Sequence, residues 1–163
     1  MTAKVILNPY SNRWNSQKRW REAQTALKAA GVDFHLAISE KKGQIVELAE
    51  QAALQRFSPV IVIGGDGSIG DAANGLMRAA QSTSSTAPIP PLGIMPTGSA
   101  NDLVFALGLP TDLNEAAKVI AAGKTKDEMR EIIRHERRIE FMGEGFYYND
   151  IRRWKTAEQV MNA

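Results

Sequence analysis

An α/β fold organised on a parallel sheet is what this sequence predicts, and three observations predict it. Four short runs of β-branched and aliphatic residues have the length of strands. Longer segments with apolar residues at helical spacing lie between them. Glycine-rich or Asn-Pro turns follow three of the four runs directly, as expected where ligand loops leave the carboxyl ends of parallel strands.

The elements follow in order. Residues 4–7 (KVIL) read as the first strand. Trp20, Ala23, Leu27 and Ala30 then mark a helix face, with Ser16 placed to cap its start and Gly31 to end it. Residues 34–38 (FHLAI) are the second strand, and Ile45, Leu48, Ala49 and Ala52 the face of a second helix. The third strand, 60–63 (VIVI), leads to a helix beginning at Ser68 and running to about Ala80. Residues 81–91 (QSTSSTAPIPP) are polar, then proline-rich, and read as an exposed loop before the fourth strand, 92–95 (LGIM). A fourth helix begins near Ala100. Strand, helix, strand, helix implies right-handed crossovers between parallel neighbours.

Composition narrows the function classes. With 163 residues, 44% hydrophobic, the chain suits one compact domain with a real core. Lys and Arg number 20 against 18 Asp and Glu, so the net charge is only +2 and gives no nucleic-acid footprint. The absence of cysteine excludes disulfides, a thiol nucleophile and a Cys-based zinc site. No run approaches the ~20 apolar residues of a membrane span. The start, MTAKVILNPY, enters a strand directly, so we expect a cytoplasmic protein that meets any lipid at the inner face of the membrane.

The stretch IVIGGDGSIGD, residues 61–71, leaves a strand and enters a helix. Its glycines let backbone approach a ligand and supply successive amide donors, while the helix start adds partial positive charge; phosphate needs both. Asp66 would be an anion beside an anion there unless it holds a metal or a proton, so a metal bridge or a general base is its natural role. Read alone, the loop is equally a tight turn with Asp66 as a helix cap. A second stretch, IMPTGSANDLVFALGLP at 94–110, repeats the design, with Asn101 and Asp102 at a helix start. Asn8 and Pro9, after the first strand, supply a third loop on the same edge.

Together, Asn8-Pro9, Gly64-Gly65-Asp66-Gly67-Ser68 with Asn74-Gly75-Leu76, and Pro96-Thr97-Gly98-Ser99-Ala100-Asn101-Asp102 resemble the catalytic domain of the diacylglycerol kinase and sphingosine kinase family. The resemblance covers residues 1–124. It implies a Rossmann-like three-layer parallel sheet that binds ATP, and transfer of the γ-phosphoryl group to a lipid hydroxyl, of diacylglycerol or a sphingoid base, with Mg²⁺. Carried over by position, Gly64, Gly65, Gly67 and Ser68 would cradle phosphates. Asn8, Pro9, Asp71, Thr97, Gly98, Ser99, Asn101 and Asp102 would line the nucleotide site, and Asp66 would be the catalytic or Mg²⁺-linked acid.

Where the family usually has Asn-Glu, this sequence has Gly70-Asp71, and serines replace threonines at both glycine turns. The family continues into a β-rich lipid-binding domain that nothing after residue 124 matches, so the resemblance implies weak turnover. Charge density about doubles beyond Lys124, and residues 125–163 read as a charged helical tail. Residues 131–163 resemble the C-terminal segment of SusD/RagB glycan-binding outer-membrane lipoproteins, in which Glu136, Arg137, Glu140, Glu144, Asp150, Arg152 and Arg153 would form structural ion pairs. That gives the chain the character of a chimera and leaves a non-catalytic nucleotide- or carbohydrate-associated module as the alternative function. His35 and His135 have no metal-spaced partner, and Trp14, Trp20 and Trp154 read as packing residues.

Overall fold

The computed structural model describes residues 2–82 and 88–123, all within the first of two units, Met1–Lys124. The expected tail helix, its ion pairs, His135 and Trp154 lie outside the described residues. Among the described residues nine elements follow in order: β1 (Ala3–Leu7), α1 (Ser11–Ala29), β2 (Phe34–Ile38), α2 (Gln44–Leu54), β3 (Val60–Gly64), α3 (Asp66–Ser82), β4 (Leu92–Pro96), α4 (Asp102–Ala106) and α5 (Leu113–Ala121).

The strands form one parallel sheet in the order β2-β1-β3-β4. Alternation along each strand divides its side chains between two layers. Val5, Leu7, Ile61, Ile63 and Met95 pack with Ala23, Ala26 and Leu27 of α1 and Leu113, Ala116 and Ala117 of α5. Ile6, Val60 and Val62 point the other way, onto Ile45, Ala49 and Ala52 of α2, Ile69, Ala72 and Leu76 of α3, and Val104 of α4. Helices therefore cover both faces, and the sheet is the middle of the three layers expected from the sequence. β3 lies wholly buried because it sits inside the sheet and under both helical layers. Each of its large aliphatic side chains contributes about 1.5–3 kcal/mol on leaving water.

Several local expectations shift. α1 begins five residues before Ser16, which lies inside the helix and is fully buried rather than capping it. The start is shaped instead by Asn8, whose carbonyl accepts from Ser11 N and whose Oδ1 accepts from Tyr10 N. Gly31, with φ +76°, does close the helix, its amide donating to Lys28 O. α3 begins at Asp66, two residues earlier than expected, so the acidic residue occupies the first turn. The stretch from Ala100 yields only the five-residue α4, ended by left-handed Gly108, before Asp112 caps α5 through Asn114 N and Glu115 N.

α2 and α3 touch backbone to backbone at Gly75. A Cβ there would strike the Val46 carbonyl oxygen and lie 2.8 Å from Ala49 Cβ. Gly75→Ala should therefore force the two helices apart, costing about 1–3 kcal/mol, to be read as a lower urea midpoint at unchanged m-value.

Candidate functional site

The sheet order fixes where a ligand can enter. From β1 the chain moves outward to β2, then crosses back over β1 to β3, so the crevice beyond the carboxyl ends of β1 and β3 is the topological switch point. The Asn8 loop follows β1, the Gly65 turn with the first turn of α3 follows β3, and the loop from Thr97 to the start of α4 follows β4. The three loops singled out in the sequence thus share one edge of the sheet.

Hydrogen bonds tie them together. Asn8 Nδ2 donates to Ser68 Oγ at 2.8 Å, spanning the switch point. With its Oδ1 accepting from Tyr10 N at 3.1 Å, Asn8 has both ends of its amide engaged within the protein. Its side chain joins β1 to α3, and Pro9 beside it is buried. Ser68 is 5% exposed, and its Oγ occupies the space that a Cβ on Gly64 would fill. Thr97 N donates to Gly64 O at 2.9 Å, coupling the β3 and β4 loops.

The β3 and β4 loops approach so closely that Gly98 has no room for a Cβ and Gly65 has room only if Gly98 shifts. A Cβ on Gly98 would lie 2.5 Å from Gly65 Cα and 2.6 Å from Asn101 Oδ1; one on Gly65 would lie 3.0 Å from Gly98 Cα. Gly67 differs. It is exposed in the first turn of α3, and a Cβ there would meet nothing within 4 Å. A glycine in a helix costs roughly 1 kcal/mol relative to alanine, and among the described residues no crowding at Gly67 requires that cost. The amides of Asp66 and Gly67 make no hydrogen bond among the described residues, whereas those of Ser68 and Ile69 both donate to Gly65 O. A bare helix start with an open glycine beside it is a surface suited to phosphate oxygens.

Asp66 does act as a cap, but for another helix. Its Oδ2 accepts from Asp102 N and its Oδ1 from Leu103 N, each at 3.1 Å, so it holds the start of α4 from the first turn of α3. α4 has no cap of its own: Asn101 is left-handed at φ +56° and donates Nδ2 to Gly98 O, leaving its buried Oδ1 without a partner among the described residues. Asp102 and Ser99 are exposed. Asp71 lies one turn beyond Gly67 on the same face of α3 and makes no hydrogen bond or ion pair among the described residues. Thr97, expected to line the ligand side, is 1% exposed, and its hydroxyl bonds to Ser16 Oγ of α1; its side chain turns into the protein. Ser16 and the capping use of Asp66 on α4 depend on partners 81 and 36 residues away, so no local spacing could reveal them.

Among the described residues no three His, Asp or Glu side chains converge as a metal-holding group. Asp66 and Asp102 stand side by side, with the Asp102 amide on the Asp66 carboxylate. One carboxylate held by two backbone amides does not make a cage for a resident ion. No helix among the described residues is long and apolar enough to cross a membrane.

The family model described as diacylglycerol kinase catalytic domain matches residues 2–129, and one described as SusD family matches residues 107–163. A protein of Escherichia fergusonii named "Probable lipid kinase YegS" is 34% identical over 119 residues, covering 73% of this chain and 37% of its own. The diacylglycerol kinase of Bacillus subtilis strain 168 is 33% identical over 125 residues, covering 74% and 38%. The crystal structure of a diacylglycerol kinase from Bacillus anthracis strain Sterne matches with a TM-score of 0.60 at 29% identity, over 74% of this chain and 39% of that one. The chain thus spans less than two-fifths of the length of these curated relatives.

Two substitutions separate the roles of these contacts. Gly98→Ala should wedge the β3 and β4 loops apart and lower stability by about 1–3 kcal/mol. Asp66→Ala should remove the cap from α4 at about 1 kcal/mol. Faster amide exchange should follow at Asp102 and Leu103, with α2 and α5 unchanged. Hydrogen exchange read residue by residue checks both.

Proposed function

Because this chain belongs to the diacylglycerol kinase catalytic-domain family, we propose that it binds Mg·ATP at the carboxyl edge of β1, β3 and β4 and serves transfer of the γ-phosphoryl group to a lipid hydroxyl. The observation that carries this reading is the bare first turn of α3, with Gly67 left open and the Asp66 and Gly67 amides uncommitted among the described residues. Backbone donors at a helix start meet phosphate oxygens without reorganisation, which is what a transfer governed by positioning and charge requires.

The residues divide the work. Gly65 and Gly98 bring two loops under the phosphates, and Gly64 leaves room for the Ser68 hydroxyl, which Asn8 steadies. Ser99, Asn101 and Asp102 line the far wall. Asp71, one turn along α3, faces the same side as Gly67. In the transfer, the lipid hydroxyl oxygen bonds to the γ-phosphorus, the β,γ-bridging bond breaks and ADP departs. Asp66 serves either as acceptor of the hydroxyl proton or as the acid linked to the metal. Asp66, with Asp102 next to it at the start of α4, would hold Mg²⁺ brought by the nucleotide, and the ion would supply neutralisation of phosphate charge. The acceptor class is a lipid alcohol, diacylglycerol or a sphingoid base, reached at the inner face of the membrane.

Calorimetric titration of Mg·ATP into the chain tests the binding step. One saturable site that changes with Asp66→Asn supports the reading, and no binding by the folded protein overturns it. Gly67→Ala gives a sharper contrast. Stability should stay level or rise by up to ~1 kcal/mol, while Mg·ATP affinity falls because the new methyl stands on the ligand's ground. Incorporation of radiolabelled phosphate into extracted diacylglycerol or long-chain base, lost in Asp66→Asn, tests the transfer step.

A further inference from the structure

Ser16 and Thr97 are two hydroxyl residues buried to 0% and 1% exposure, and they hydrogen-bond to each other across 81 residues of sequence. Neither has another side-chain partner among the described residues. Thr97 lies between Pro96, the last residue of β4, and Gly98, whose Cα faces Gly65. Its backbone amide reaches Gly64 O at 2.9 Å. Ser16 lies in the second turn of α1, five residues after Ser11, whose Oγ would stand 3.4 Å from a Cβ on Gly65. One hydroxyl pair therefore connects the helix over one face of the sheet to the turn that sets how closely two glycine loops meet.

Resting on the nucleotide reading above, we propose that Ser16 and Thr97 are a positioning pair: their hydrogen bond fixes α1 against the 97–102 loop and so sets the separation of Gly65 and Gly98 beneath the phosphates. A buried apolar contact of the same size would fill the space without specifying direction. A hydroxyl pair is directional, and leaving either member alone strands a buried polar group. Ser16 touches no ligand in this arrangement and acts through the loop it holds.

The test uses the full chain and three variants, Ser16→Ala, Thr97→Ser and the double Ser16→Ala/Thr97→Val. Truncating one partner strands the other, whereas replacing both with apolar groups of similar shape is close to neutral for stability. A pair with a merely structural role predicts a double variant that matches wild type in thermal midpoint, in the Gly65 amide resonance and in Mg·ATP affinity. The positioning role predicts a wild-type thermal midpoint with a displaced ¹⁵N–¹H resonance for Gly65, which adjoins neither substituted residue in sequence. It also predicts Mg·ATP affinity lower by about tenfold, the scale of a small misplacement of binding groups. Thr97→Ser, which keeps the hydroxyl, should restore the resonance and the affinity.

An unmoved Gly65 resonance in a folded double variant overturns the proposal. Should the double variant not fold, Ser16→Ala alone is compared with Thr97→Ser by the same resonance, and an identical Gly65 position in the two again overturns it. A displaced resonance in a chain whose wild type fails to bind Mg·ATP would uphold the positioning pair and overturn the nucleotide reading instead.

Discussion

Two peptide backbones meeting with no side chain between them is the constraint on which the rest of the site depends. Gly65 and Gly98 end up close enough that a Cβ on Gly98 would collide with the opposite loop and one on Gly65 would press against it. Around that contact the remaining interactions have defined tasks. The Thr97 amide on Gly64 O sets the register of the two loops, Asn8 links the first strand to the third helix, and Asp66 carries the start of α4. The parallel sheet delivers three strand ends to one edge, but this approach turns three loops into one surface.

Much of this was legible in the sequence, for reasons that can be stated. The four strands fall within one residue of the apolar runs, because short β-branched segments between turn residues leave little ambiguity. The loops at Asn8, Gly64 and Pro96 were legible because glycine, proline and asparagine mark backbone geometry directly. Helix starts were harder. Ser16 has the character of a cap, yet helix geometry lets a small hydroxyl sit inside α1 when a buried partner awaits it. α3 begins at Asp66 because Gly65 O accepts the first two intrahelical bonds, a choice made by the backbone and invisible in side-chain spacing.

Asp66 shows why a residue type alone underdetermines its role. The sequence allowed a cap, a base or a metal-linked acid, and the fold shows the first of these on a helix that sequence order places far away. α4 is too short to hold its own start, and Asn101 ahead of it spends its side chain on Gly98 O. The carboxylate that orders α4 is thus also the one beside the uncommitted amides of α3. Structural support and charge are concentrated in one side chain at the junction of two helix starts. By contrast, His35 rests against Phe57 and pairs with Lys4 at the amino end of the edge strand, opposite the loops of the site.

The Gly65, Gly75 and Gly98 contacts also determine how this fold can vary at the level of its gene. Every glycine codon begins with two guanines, so any amino acid reached from it by a single base change carries at least a Cβ. At Gly75 and Gly98 that atom has nowhere to go, and at Gly65 it fits only if the facing backbone gives way. A population of variants would therefore be depleted of amino-acid changes at exactly those codons, whatever the chemistry of the replacement, whereas Gly67 and Gly70, open on their outer side, would accept changes until a ligand is required. The contrast between the two groups of glycines separates selection for folding from selection for binding within one short helix and its neighbouring loops.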